Sequence, residues 1–174
     1  GYESISPLGA KGQTSRALDV NDSGRAVGYL TQRGVNQAFL AMNENLEALP
    51  DFGNYESQAL DVNNNAIPKI VGFVKDRTGA RHPVMWQSHK INVLRQLPKQ
   101  TSGSANAISD AGDIVGDSGG RATVWRDGAV HDLNRLLDTP IRATLQSALD
   151  INRHGRILVK ASDGYYVLMP TSNE

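Results

Sequence analysis

Short runs of alternating apolar and polar residues follow one another along the chain, with the period of two that is typical of β-strands. Residues 17–20 form one run, a tight turn at Asn21-Asp22-Ser23-Gly24 follows, and a second run covers residues 25–29. A polar loop containing Gly34 then leads to runs at 38–42 and 46–50. The pattern predicts a four-stranded antiparallel unit. The best helical candidate, 132–137, also fits a strand.

This unit recurs along the chain. The segment that begins at Ala17 returns at Ala59, more weakly at Ala105, and again at Ala148, with spacings of 42, 46 and 43 residues. The last repeat stops after its third run, and residues 2–9 match 46–53 in pattern. We therefore expect the N-terminal strand to complete the last repeat.

A four-stranded unit cannot bury its own faces, so such units stack around an axis or along a solenoid. A missing strand supplied from the other end of the chain favours closure into a ring. The sequence therefore predicts an all-β protein in which residues 1–174 form a single domain, a four-bladed β-propeller with blades of about 43 residues. A pseudo-fourfold barrel or sandwich of the same strands is the alternative.

The repeats also resemble a known family. The pattern Ala-x-Asp-Val-Asn-Asp-x-Gly-x-x-Val-Gly at 17–28, followed by Ala-Phe-Leu at 38–40, is similar to the HAF repeat of bacterial extracellular proteins. Residues 59–72 and 105–116 follow it less closely, and 148–159 lack the Val-Gly ending. The resemblance implies a secreted or periplasmic bacterial protein of β-propeller-like repeats, and it brings no catalytic residues with it.

Composition narrows the function classes. Eighteen Lys and Arg residues balance 18 Asp and Glu residues, so the chain lacks the basic surplus that nucleic-acid binding normally requires. No apolar run is long enough to span a bilayer, so we expect no membrane insertion. With no Cys, thiol catalysis and cysteine zinc sites are excluded. No signal segment is recognisable within the chain.

Loops that differ between repeats are the best candidates for function, because variable loops on a rigid scaffold carry binding residues. In the predicted topology, the loops from fourth to first strands and from second to third strands lie on one face. Basic and aromatic residues collect there. The candidate partner-binding residues are Arg16, Arg33, Tyr55, Arg77, Arg81, Arg121 and Arg142. Ordinary solvated loops are the competing interpretation.

Three aspartates occupy equivalent first-strand positions, namely Asp19, Asp61 and Asp150, with Ala107 at the fourth. Carboxylates gathered at the axis of a ring could bind a structural calcium or another hard cation in the central channel. The competing interpretation, which we favour, is that each Asp accepts backbone amides and stabilises its own blade. The four His residues share no metal-like spacing, and no motif supports a catalytic triad. We therefore assign no catalytic residue and no cofactor.

These observations lead to three hypotheses. The first is a non-catalytic module that engages a partner protein, with an inhibited enzyme as one such partner. The second is a lectin-like propeller that binds a glycan in each blade, although Trp86 and Trp125 are better explained as packing residues because Met42 occupies the equivalent position. The third is a hydrolase or lyase with an axial site built on the three aspartates.

Overall fold

The computed structural model describes residues 14–43, 45–53 and 55–171. These residues form four separate antiparallel sheets and no α-helix. Sheet 1 contains β1 (Thr14–Val20), β2 (Arg25–Gln32), β3 (Val35–Met42) and β4 (Asn45–Ala48). Sheet 2 contains β5 (Ser57–Val62), β6 (Ile70–Lys75), β7 (Arg81–Gln87) and β8 (Lys90–Val93). Sheet 3 contains β9 (Gly103–Ile108), β10 (Ile114–Ser118), β11 (Arg121–Arg126) and β12 (Ala129–Asp132). Sheet 4 contains β13 (Leu145–Ile151), β14 (Ile157–Ala161) and β15 (Gly164–Leu168).

Each sheet is an up-and-down meander in chain order, as the repeat predicts. The prediction of an all-β protein is thus confirmed, and its four sheets are compatible with four blades. The strand predicted over residues 2–9 lies outside the described residues. The ambiguous segment after β12 forms a short 3₁₀-helix, Leu133–Arg135, whose first turn is capped by the side chain of Asp132.

The turn between first and second strands is stabilised by its own Asn. In sheet 1, Oδ1 of Asn21 accepts hydrogen bonds from the amides of Ser23 and Arg25 at 3.1 and 3.0 Å. Asn152 does the same for His154 and Arg156 in sheet 4. Asn63 accepts the amide of Lys69 at 2.9 Å and so holds the longer loop of the second repeat. These local bonds explain why Asn recurs after the first strand.

A β-bulge interrupts every first strand at the same place. The ladder skips Leu18, Leu60, Asn106 and Leu149, because the residues before and after each of them pair with consecutive residues of the second strand. A bulge bends the strand and increases its twist. The first strand thereby departs from the plane of its own sheet.

The bulge explains the Val-Gly ending of the repeat. A Cβ atom at Gly28, Gly72 or Gly116 would lie 1.9, 2.0 or 1.9 Å from a carbonyl oxygen of the bulged strand opposite. Since real atoms cannot approach so closely, only Gly fits these positions. The last repeat has Val159 there, and its ladder contains a second irregularity, between Leu145 and Ser147.

The core lies between consecutive sheets. Val27 of sheet 1 belongs to the same buried cluster as Ala59 and Val62 of sheet 2. Val71 is grouped in the same way with Ala105 and Ile108, and Val115 with Ala148 and Ile151. In sheets 1, 2 and 3, the face that carries Val27, Val71 or Val115 is therefore buried under the first strand of the next sheet, and we call it the forward face.

Two surfaces are not packed in this way, one on sheet 4 and the other on sheet 1. Leu158 of sheet 4 is equivalent to Val27, Val71 and Val115 by ladder register, yet it is 38% exposed where those residues are fully buried. Val20 of β1 is 62% exposed, whereas its equivalents Val62, Ile108 and Ile151 are buried. The forward face of sheet 4 and the first strand of sheet 1 are thus the uncovered counterparts of the three packed interfaces.

Two tryptophans connect sheet 2 to sheet 1 and sheet 3 to sheet 2. Trp86 of β7 is 1% exposed and donates Nε1–H to the carbonyl oxygen of Pro50 at 2.8 Å. Trp125 of β11 is 6% exposed and donates to the carbonyl oxygen of Arg95 at 2.6 Å. Both acceptors follow the fourth strand of the preceding sheet. The prediction that the tryptophans are packing residues is confirmed.

We expect Gly72→Ala to lower the free energy of unfolding by about 3 kcal/mol, because the new methyl group would overlap the carbonyl of Gln58 and press on the Trp86 ring. Gly79→Ala is the matched control, since Gly79 has a φ of +83° but open space around its Cβ position. The control should cost about 1 kcal/mol. Urea denaturation checks both values, and equal losses in the two variants would contradict the bulge explanation.

Candidate functional site

The sheets have two distinct ends. At the loop end, which we define by residues 32–35, 50–53, 55–57, 75–81, 94–103, 118–121, 136–145 and 161–164, the first strands begin and the second strands turn into the third. At the cavity end, the first strands finish around one cavity of about 660 Å³. The topology places the predicted basic loops at the loop end.

Aromatic and charged side chains meet at the loop end of sheet 2. The Phe52 and His82 rings are 5.8 Å apart in an edge-on arrangement, and Nε2 of His82 lies 2.9 Å from Oδ2 of Asp76. The hydrogen bond from His82, together with bonds from Thr78, holds the pKa of Asp76 well below its usual range. His82 is therefore fixed between an aromatic ring and a carboxylate.

Arg81 joins the loop ends of sheets 2 and 3. Its guanidinium lies 4.4 Å from the centre of the Phe73 ring, within the range of a cation–π contact. Its backbone amide donates to Oγ of Ser102 at 3.3 Å, and the carbonyl of Ser102 accepts the amide of Gly119 at 2.7 Å. Arg81 thus remains exposed on a supported backbone.

Two acidic residues at this end, Glu56 and Asp117, lie near basic side chains. Lys75 forms an ion pair with Glu56. Burial tends to raise the pKa of Glu56, but Lys75 outweighs it and the pKa lies below its usual value. Burial also raises the pKa of Asp117, an effect that the Gly120 amide and the charge of Arg81 only partly offset.

The guanidinium of Arg121 has a structural role, because it is bound to the carboxylate of Asp132. It donates from Nε to Oδ2 of the buried Asp132 at 2.7 Å and places a terminal nitrogen 2.6 Å from the same oxygen. Burial tends to raise the pKa of Asp132, yet hydrogen bonds from Asn134 and Arg121 bring the pKa below its usual value. The same Asn134 bonds both backbone groups of Leu145, so this network holds the start of sheet 4 against sheet 3.

The remaining candidate residues are exposed and lie in or near the loops of this end. Arg33 lies in the β2–β3 turn, Arg77 in the β6–β7 turn and Arg142 in the loop before β13. Arg16 lies in the first half of β1, and Tyr55 precedes β5 with a 38% exposed side chain. Within the described ranges, none of these arginines forms an ion pair. The structure therefore divides the predicted set into free residues and the anchored Arg121.

Sequence reasoning did not find the supporting aromatics. Phe73 lies under Arg81, and Phe52 lies against His82, although neither was a candidate. The position of Phe52 in a fourth-to-first loop was a usable signal. The sequence contained no signal for Phe73, since it is one of several apolar residues in β6.

The cavity end gathers the three aspartates at one site. Asp19, Asp61 and Asp150 all line the cavity, together with the turn asparagines Asn21, Asn63 and Asn152. The aspartates are occupied with backbone amides. Oδ2 of Asp19 accepts the Val62 amide at 3.0 Å, and Oδ2 of Asp61 accepts the Ile108 amide at 2.6 Å.

Each of these two bonds crosses from one sheet to the next. Where the third repeat has Ala107, the crossing is made by Asn106, whose Nδ2 donates to the carbonyl of Ala148 at 2.8 Å. Asp150 accepts the amide of its own neighbour Ile151 at 2.8 Å, as Asp61 does for Val62. In the part of the chain that the structure describes, no group of three His, Asp or Glu side chains is placed to hold a metal ion.

Comparisons with known proteins give no family: no family model matches the chain, and no curated protein is similar to it. Among residues 14–43, 45–53 and 55–171, no helix is long and apolar enough to cross a membrane.

We expect Arg121→Ala to lower the free energy of unfolding by about 2 kcal/mol, because the buried Asp132 carboxylate loses its charged partner. Arg77→Ala should change stability by less than about 0.5 kcal/mol, as is typical of exposed surface positions. Chemical denaturation of both variants measures the difference. A neutral Arg121→Ala would show that Asp132 does not depend on this arginine.

Proposed function

We propose that this protein is a non-catalytic binding module, built as a four-bladed β-propeller, that engages an acidic surface of a partner protein through its loop end. The proposal rests chiefly on one observation: Arg33, Arg77 and Arg142 are exposed, form no ion pair among the described residues, and lie in loops at the same end of the sheets as the Arg81–Phe73 contact. Arginine and tyrosine are enriched at the energetic centres of protein interfaces. A fixed guanidinium also loses little entropy on binding a carboxylate.

The glycan alternative has less support. A lectin-like site in each blade would require aromatic rings exposed at equivalent positions, but Trp86 and Trp125 are buried. An axial catalytic site is also less favoured. The carboxylates of Asp19 and Asp61 bond backbone amides of neighbouring sheets, which gives them a structural role.

The propeller requires that sheet 4 close onto sheet 1. The uncovered Leu158 and Val20 support this, because they correspond to residues that are buried together at the three packed interfaces. Phe39 and Leu30, on the opposite face of sheet 1, are already buried, and their equivalents Val84 and Val74 face sheet 1 in the next interface. Closure would also let Oδ2 of Asp150 accept the Val20 amide, as Asp61 does for Ile108. The strand expected over residues 2–9 would then be the fourth strand of sheet 4.

Closure can be tested with paired cysteines, since the chain has no Cys of its own. We expect Ala17→Cys with Leu158→Cys to crosslink within one chain when treated with a short bifunctional thiol reagent. Ala59→Cys with Val27→Cys is the matched control, because these two positions share a packed cluster. Mobility in denaturing gels separates the products. Crosslinking of the control pair together with failure or purely intermolecular crosslinking of the test pair would contradict closure.

Partner binding can be tested by charge reversal at each end. We expect Arg77→Glu with Arg142→Glu to reduce recovery of a specific partner by more than tenfold in quantitative affinity purification from source cells. Lys90→Glu, at the start of β8, with Arg153→Glu, in the β13–β14 turn, makes the same change in net charge at the opposite end and should leave recovery unchanged. The purified partner should show the same ranking in titration calorimetry.

Two outcomes would contradict the binding proposal. One is a partner retained equally by the loop-end variant and the wild type. The other is a partner lost equally from both charge-reversed variants, which would indicate a general electrostatic effect. Specific binding of the wild type on a glycan array would instead favour the lectin alternative.

A further inference from the structure

Two carboxyl groups meet at the junction of the first three sheets. Oδ2 of Asp19, on β1, and Oδ1 of Asp61, on β5, both accept the backbone amide of Val62, at 3.0 and 2.8 Å. The other oxygen of Asp61 accepts the amide of Ile108, on β9, at 2.6 Å. Asp61 is therefore in contact with sheets 1 and 3 while belonging to sheet 2.

A single N–H group, that of Val62, cannot offset the repulsion between two charged carboxylates that both accept it. Like charges in contact and partly withdrawn from water repel, and such a pair commonly holds one proton between its members. Burial raises the pKa of Asp61 to about 7, and its hydrogen bond with Asp19 and the Asp19 charge add to the effect of burial. Amide bonds from Ile108 and Val62 oppose it without cancelling it.

The surroundings offer little to neutralise a second negative charge. Among the strands packed against β5, β3 and β9 carry no charged side chain within their bounds. The charged residues on the others are Arg16 and Asp19 on β1, Arg25 on β2 and Lys75 on β6. The cavity wall adds Asp22, Asp110, Asp150, Arg153 and His154. Among these groups, it is the charge of Asp19 that contributes to the raised pKa of Asp61 as a main cause beside burial.

We propose that the Asp19–Asp61 pair is a proton-dependent junction between sheets: with the shared proton it holds the first strands of sheets 1, 2 and 3 together, and without it sheets 1 and 2 loosen at the cavity end. The protonated carboxyl of Asp61 donates to Asp19 and still accepts the amides of Val62 and Ile108. Loss of the proton removes that donor and leaves two charges facing each other beside one shared amide. This role goes beyond the loop-end binding function and lies at the opposite end of the sheets.

The direction of the pH effect follows from proton counting. An unfolded Asp loses its proton near pH 4, whereas the folded Asp61 keeps it up to about pH 7. Between these values the folded state binds one more proton than the unfolded state. Stability contributed by the pair is therefore full at acidic pH and declines as pH rises from about 4 to 7. Carboxylates with lowered pKa values, such as Asp132 and Glu56, act in the opposite direction and below this range.

The test compares the melting temperature of the whole chain at pH 5 and pH 8. We expect the wild type to melt about 5 °C lower at pH 8 than at pH 5. Asp61→Asn should remove most of this difference and melt higher than the wild type at pH 8, because its neutral amide can donate to Asp19 at every pH. Asp22→Asn is the matched control, since Asp22 lines the same cavity without a carboxyl partner in contact, and it should keep the wild-type difference.

A residue-level measurement accompanies the melting curves. Carbon NMR of the Asp61 carboxyl should show a titration midpoint near pH 7 in the wild type. A midpoint near pH 4, or a wild-type melting temperature that does not fall between pH 5 and 8, would overturn the proposal. So would an Asp61→Asn variant that folds and keeps the wild-type pH dependence.

Discussion

In sheets 2, 3 and 4, the first strand belongs structurally to two sheets, and the packing of the sheets depends on this. Its ladder bonds attach it to its own second strand, while its apolar side chains cover the forward face of the preceding sheet. The bulge at Leu18, Leu60, Asn106 and Leu149 makes this double role possible, because it turns the strand out of the plane of its sheet. In sheets 1, 2 and 3, glycine opposite the bulge is the steric condition for that geometry. The residues that recur in the repeat are therefore mainly those that form the contact between consecutive sheets.

Hydrogen bonds at the same junction fix how consecutive sheets are aligned, in addition to the hydrophobic packing. Apolar contacts alone would tolerate sliding between sheets, whereas an Asp that accepts an amide of the next sheet allows one register. The third repeat reaches the same end with Asn106 and Ala107, so the contact is retained although the residue is not. Sheets 1 and 2 both carry such a carboxylate, and the two meet at the Val62 amide where these sheets converge. The Asp19–Asp61 pair is the consequence, and its proton is a result of the packing geometry.

The all-β arrangement of four antiparallel sheets could be predicted from the sequence, because strand alternation and a repeat near 43 residues are strong signals. The turns around Asn21 and the buried tryptophans followed from residue types at equivalent positions. The candidate site was harder to predict from the sequence. The guanidinium of Arg121 is engaged by Asp132, which is 11 residues away in the chain, and Phe73 supports Arg81 across a hairpin. Such contacts depend on side-chain direction, which periodicity does not encode. The shared proton of Asp61 likewise requires the distance between two strands from different repeats.

The central claim is that a fourth interface, between sheet 4 and sheet 1, repeats the geometry of the other three. Hydrogen exchange of the Val20 backbone amide tests it most directly, since this amide is equivalent to those of Val62 and Ile108, which bond carboxylates of the preceding sheet. The account predicts that the Val20 amide is protected to a similar degree as these two. Exchange of Val20 at the rate of an exposed amide, with Val62 and Ile108 still protected, would show that the ring does not close.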